Sequence, residues 1–474
     1  MSKITRYVSL GIVAVATGAL VFVLPAPKSD SSIPSYQPRD AYENDFSAND
    51  AAAWLNKRRV NPATGKVDPA EVLRVRNLVE QHRLAKTSSA IGLQWELRGP
   101  DNIGGRTRTL FIDPANPQLM FAGAVSGGLY RSTTGGSSWE MVNINAPNNA
   151  VTYFTKSANG DYYYCTGEGL HYFTFGGGAG GILGGGIYKS TDGGNTFNVL
   201  PQTQPTPNNR SAEWANISFV LADPITPDLI YAATNAGLRR STDGGQTWSN
   251  PVAGSAVSPS EIGAPIADMI VTSSGGVWFK GNNHIMYSAN GAPGSFTQIS
   301  SATSGLPANA RRSRIAVHPT DPNYVYVANV GTSGQLGTVH RSMDGGQSWS
   351  LIGTGTTSFN PFNTQGDYDL LLAVDPKNKD RILLGGVTLW SWAPTDGWNQ
   401  IASLGPDNPI NPFYVHADQH DCIFHPTNPN IIYVVNDGGI FRSSNDGFTW
   451  TPVNANYITL QLYSVEGNAA GQFL

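Results

Sequence analysis

From Trp95 onward, short apolar runs alternate with turn residues, the pattern of half-buried strands joined by tight connections. One unit recurs. An apolar strand ends in Asp-Pro or His-Pro, as at Leu110–Pro114, Ile315–Pro319, Ala373–Pro376 and Ile423–Pro426. A turn and a second strand follow, at Leu119–Ala124, Tyr324–Asn329, Ile382–Gly385 and Ile431–Asn436. A Ser-x-Asp-Gly-Gly-x-Thr-Trp segment closes the unit: Ser132–Trp139, Ser190–Phe197, Ser241–Trp248, Ser342–Trp349 and Ser443–Trp450, with degenerate copies at Ser288–Phe296 and Ser391–Trp398. The leading serines are 58, 51, 47, 54, 49 and 52 residues apart, a period the size of a propeller blade. The spacing predicts an all-β propeller of about seven four-stranded blades, each built as strand a, Pro turn, strand b, loop, strand c, Asp-Gly hairpin, strand d.

The ends of the chain break the pattern. Lys3 and Arg6 precede an apolar run from Val8 to Leu24, which reads as an export signal or membrane anchor over 1–27. Pro27 directly after Ala26 makes a poor cleavage site, so both readings stay open. Residues 28–50 are Ser, Pro and Asp rich and read as a linker. Residues 51–94 read as a short helical segment: Asp68-Pro69 offers an N-cap and a first-turn proline, and Val72, Val75, Leu78 and Val79 follow at helical spacing. The propeller takes 95–456. Leu460–Glu466 reads as the first strand of a further blade, apparently truncated, within 457–474.

Composition narrows the function. Charged residues are 14% against 53 Gly, a turn-rich balance, and a net charge of −4 gives no electrostatic footprint for nucleic acid. Membrane contact is expected only through the N-terminal anchor. No motif calls for a cofactor. Cys165 and Cys422 fall in non-adjacent repeats and read as two buried free thiols.

The hairpin aspartates tempt a catalytic reading, but the motif explains them mechanically. A carboxylate can accept backbone N–H groups across the turn, the glycines supply positive φ, and the aromatic residue packs the turn on its blade. Asp192, Asp243, Asp344 and Asp446 are therefore assigned as structural.

In a propeller the strand-a openings converge on the central channel, opposite these hairpins. They carry Arg106 and Arg108, Glu213, Asp268, Arg312 and Arg314, Asp367 and Asp369, then His416, Asp418, His420 and Asp421. If extended, His416, Asp418 and His420 share one strand face, where they could bind a divalent metal, position a sugar or serve as an acid–base pair with Asp367. The alternative is a hydrogen-bonded plug. The candidate ligand-binding set is Arg106, Arg108, Glu213, His416, His420, Asp421 and Tyr172, the last on a glycine-rich loop beside the channel mouth.

The recurring hairpins resemble the BNR/Asp-box repeat. Trp95–Arg108, Asn61–Gly65 and His416–His420 are similar to segments of exported bacterial proteins grouped with sortilin (VPS10) and xyloglucanase-like propellers, and the resemblance covers roughly residues 50–474. It implies two functions. One is a secreted or cell-surface module that binds a glycan or protein on its channel face. The other is a xyloglucanase-like glycoside hydrolase acting on β-glucans with an Asp pair, for which Asp418 and Asp367 are the candidates.

Overall fold

The computed structural model describes residues 99–461, apart from 144–145, 147–149, 170–181, 206–211 and 404–410, together with scattered positions between 60 and 81. All lie in the second of the two units, 1–51 and 52–474, into which the chain divides. The expected signal or anchor and the linker lie outside the described residues. Of the helical segment, Glu71, Arg74, Val75, Leu78 and Gln81 are helical. Val75 and Leu78, two of the residues at helical spacing, are 43% and 42% exposed. Among the described residues no helix is long and apolar enough to cross a membrane.

Seven antiparallel sheets form a seven-bladed propeller. Their first strands are Thr107–Ile112, Val151–Lys156, Ile217–Ala222, Asp268–Val271, Ser313–Val317, Leu371–Asp375 and Gln419–Phe424. Each of these adjoins the next around the ring, and the seventh returns to the first. Six blades have four strands; in blade three the fourth is reduced to one bridged pair, Arg240 with Ser249.

The core lies between blades. Strand residues that point away from their own sheet meet those of the next, as where Tyr326, Ala328 and Val339 of blade five pack on Leu372, Ile382 and Leu384 of blade six. Each fully buried aliphatic or aromatic side chain of this kind contributes about 1.5–3 kcal/mol, so the ring is held chiefly by contacts across blade boundaries.

The hairpins after the third strands fasten the outer edges. In blade three, Asp243 Oδ1 accepts from Thr247 N at 2.9 Å and from Ser241 Oγ at 2.7 Å, while Ser241 Oγ accepts from Gly245 N at 2.8 Å. Asp192 and Asp344 bond in the same way. Slight burial works against the charge, yet the Thr247 donors hold the Asp243 carboxyl down at about 2. The turn also seats on the preceding blade: at Gly194, with φ +82°, a Cβ would lie 2.3 Å from the Phe121 ring.

Blade seven corrects the sequence assignment. The place of the aspartate is taken by Asn445, whose Oδ1 accepts from Thr449 N at 2.9 Å and from Ser443 Oγ at 3.0 Å. Asp446 lies one residue on, at φ +65°, and pairs with Lys377 at 2.7 Å and Arg381 at 2.9 Å instead. The residue two after the serine takes the turn bonds; the hairpin is as long as that of blade three, with Asn445 in the place of Asp243 and Asp446 in the place of Gly244.

The stretch after blade seven runs onto blade one. Tyr457 is buried against Tyr130 and Trp139, Trp139 N donates to Ala455 O at 3.0 Å, and Gly105 N donates to Thr459 Oγ1 at 2.8 Å. Gly105 has no room for a Cβ, which would stand 2.1 Å from Thr459 O. Residues 457–461 carry no strand, and the remainder of the expected further blade lies outside the described residues.

Candidate functional site

The first strands and the loops at their starts bring a buried polar network into the channel. Its centre is Glu168, on the loop after the second strand of blade two and 1% exposed. Arg106 Nη1 donates to Glu168 Oε2 at 2.8 Å, and Arg108 Nε donates to Oε1 at 2.9 Å. Arg108 Nη1 also donates to His420 Nδ1 at 2.7 Å, and His420 Nε2 lies 2.6 Å from Asp437 Oδ1. Tyr368 donates its hydroxyl to the other Asp437 oxygen and stacks edge-on against His420, while Arg108 lies over the Tyr368 ring at 4.9 Å.

The electrostatics follow from burial and these partners. Burial, then the Arg108 charge, push His420 down to about 4. Burial opposes charge on Asp437, but hydrogen bonding from His420 and the Arg106 charge outweigh it and hold the carboxyl at about 2.

A second cluster lies across the channel. Arg314 Nη1 bonds Asp268 at 2.9 Å and its Nη2 reaches Asp421 at 3.5 Å. Asp268 also accepts from Ile315 N at 2.6 Å, and Asp421 from Cys422 N at 3.0 Å. Burial pushes Asp421 up to about 6 in spite of Arg314. Between the clusters is a cavity of ≈ 30 Å³ lined by Arg108, Glu168, Ser218, Arg312, Arg314 and His420, among others. It holds about two waters.

Asp418 and Asp367 are not brought together as a pair. Asp367 is engaged by Arg311, and its charged neighbours are Arg311 and Arg312. The carboxyl beside Asp418 is Asp369, two residues further on. Asp369 is fully buried, and burial, then the charge and hydrogen bonding of Asp418, hold it well above the usual carboxylate range, so it stands as a protonated donor beside Asp418. Burial, then Asp437, push Asp418 up to about 6.

The expected shared face of His416, Asp418 and His420 does not form. The strand starts only at Gln419, Asp418 has φ +66°, and a register shift separates Gln419 from Asp421. His420 therefore enters the network alone, whereas His416 bonds the Ala417 carbonyl at 3.0 Å and packs against Gly438. Among the described residues no group of three or more His, Cys, Asp or Glu is placed to hold a metal.

Glu213 stands apart, paired with Arg239 and one-third exposed. Tyr172 lies outside the described residues. Both cysteines are free, Cys165 buried and Cys422 partly so. Sequence reasoning missed Glu168, Tyr368 and Asp437. Tyr368 stands between Asp367 and Asp369, so the run into the sixth first strand held the signal. Asp437 opens the turn after a second strand, a position given no weight.

No family model matches the chain, and no curated protein matches it. Among solved structures it is similar to the GH74 xyloglucanase from Xanthomonas campestris, at 17% identity and a TM-score of 0.54 over 77% of this chain and 56% of that one. It is similar also to the GH74 enzyme of Niastella koreensis, at 21% identity and TM-score 0.52 over 75% and 55%, and to an ancestral GH74 enzyme, at 17% and 0.54 over 81% and 50%. The chain spans about half the length of these structures. At such identities the likeness is one of fold: a seven-bladed β-propeller ring shared with GH74 enzymes.

Proposed function

We propose that this chain is an exported, secreted or cell-surface propeller that binds a glycan or protein on its channel face without cleaving it, related to the BNR/Asp-box propellers that include sortilin. Export rests on the basic and apolar N-terminal stretch, Lys3 to Leu24. The observation that carries binding over cleavage is the state of the channel. Glu168 is held by Arg106 and Arg108, and Asp268 and Asp421 by Arg314, around a space of only ≈ 30 Å³. Glycoside hydrolysis needs two carboxyls flanking an open cleft. A hydrogen-bonded plug instead supports a fixed recognition surface, since its side chains are already ordered before a ligand arrives.

One observation favours the hydrolase reading. Asp418 is pushed up to about 6, the range of a general acid. One experiment separates the two: calorimetric titration with xyloglucan and β-glucan oligosaccharides, run beside a reducing-sugar assay on the same panel. Binding with no new reducing ends is the expected result. Reducing ends released by the wild type and abolished in Asp418→Asn would transfer the assignment to hydrolysis.

A further inference from the structure

Among the described residues Arg312 is the channel arginine with no carboxylate in direct contact. It is 4% exposed and lines the central cavity. Its Nη1 donates to the Gly366 carbonyl at 3.2 Å, and its Nε has no hydrogen-bond partner. The other arginines around it are matched: Arg106 and Arg108 share Glu168, and Arg314 takes Asp268 and Asp421. Asp268 and Asp367 attract it without touching it: Asp268 is taken by Arg314, and Asp367 is engaged by Arg311 through one oxygen, its other oxygen having no hydrogen-bond partner among the described residues. A guanidinium cannot shed its proton to escape burial, so an unmatched one calls for an anion.

The cavity wall holds more of what an anion needs. Arg108 and Arg314 line it from opposite clusters, adding positive potential beside the Arg-paired Glu168 carboxylate, and Ser218 is among the lining residues. The volume of ≈ 30 Å³ admits a halide or one carboxylate group and little more. Burial, then the charges of Arg108 and Arg314, lower Arg312 to about 10 against the pull of Asp268 and Asp367.

We propose that this cavity is an anion site, in which one small monovalent anion, a halide or a carboxylate group, sits against the guanidinium of Arg312 with the Ser218 hydroxyl as a further donor. The occupant comes either as a free ion that completes the plug or as the carboxylate of an acidic ligand. The site does not depend on what the rest of the channel face binds.

The test uses the whole protein at fixed ionic strength in chloride, in formate, or in 2-(N-morpholino)ethanesulfonate, an anion too bulky for the cavity. Chloride-35 line broadening and Tm are followed. Broadening reversed by formate, with Tm raised by ~2–4 °C in whichever anion binds, is expected. Preference for chloride identifies a structural ion, and preference for formate identifies a carboxylate subsite. Arg312→Gln weakens binding about tenfold or more, and Ser218→Ala, which leaves the charge in place, weakens it several-fold. Should Arg312→Gln fail to fold, the wild-type titrations and Ser218→Ala still decide. Equal Tm in all three salts with no chloride broadening, or anion binding unchanged in the variants, overturns the proposal.

Discussion

Arg108 donates from Nη1 to Nδ1 of His420 at 2.7 Å. Because a guanidinium only donates, that imidazole nitrogen carries no proton, and the proton of the neutral ring sits on Nε2, facing Asp437. The ring is therefore locked in one tautomer and kept neutral. Nitrogen-15 NMR of labelled histidine is expected to show an unprotonated Nδ1 for His420 down to about pH 4.

Stability follows with a definite sign. A histidine whose folded pKa is depressed contributes fully above its unfolded value and loses that contribution as pH falls. The displacement of His420 from 6.5 to about 4 is worth about 3 kcal/mol, lost between those two values. Urea unfolding at pH 7 and pH 4.5 measures it. His420→Gln is expected to flatten that slope.

Glu168 is the counter-charge that matters most. Glu168→Ala strands Arg106 and Arg108 in a buried site and is expected to cost about 3–5 kcal/mol. Glu213→Ala, which breaks the partly exposed pair with Arg239, costs no more than about 1 kcal/mol. Denaturant midpoints of the two variants, compared side by side, check the contrast.

Asp418 works in the opposite sense to His420. Its carboxyl is raised to about 6, so ionising it at neutral pH destabilises the fold. Asp418→Asn keeps the shape, suits the φ of +66°, and is expected to stabilise by about 1–2 kcal/mol at pH 8 and by much less at pH 4. Thermal unfolding at both values reads this directly.

In blade seven, Asn445→Ala removes the acceptor that holds Thr449 N and is expected to cost about 1 kcal/mol. Asp446→Asn leaves that hairpin bonded and loses only the exposed contacts with Lys377 and Arg381. Hydrogen exchange at the Thr449 amide distinguishes them: it rises in the first variant and not in the second.

The blades were legible because each hairpin bonds within eight residues of chain, so its chemistry is written locally and repeats. The channel was legible in part for the same reason. Strand alternation carries Arg108, Arg312 and Arg314 inward from residue spacing alone. The partners were not legible, because Glu168, Arg108, His420 and Asp437 come from three blades and no local pattern records which meets which. The two local misreadings share a cause. Both aspartates stand in left-handed backbone, which breaks the strand alternation at Asp418 and at Asp446 is the conformation of the motif's first glycine, as at Gly244; an aspartate, unlike a glycine, gives little warning of it.

Thr459 seals blade one across a sequence separation of 354 residues from Gly105. On a ribosome, then, the first blade emerges with Tyr130 and Trp139 lacking their cover, and must wait for nearly the whole ring to be synthesised before Tyr457 arrives. Such late, non-local contacts are slow to form and leave apolar surface open meanwhile. The nascent protein should lean on a holding chaperone in proportion to that delay, and the last-made residues of the seam, rather than any blade, set when it is released.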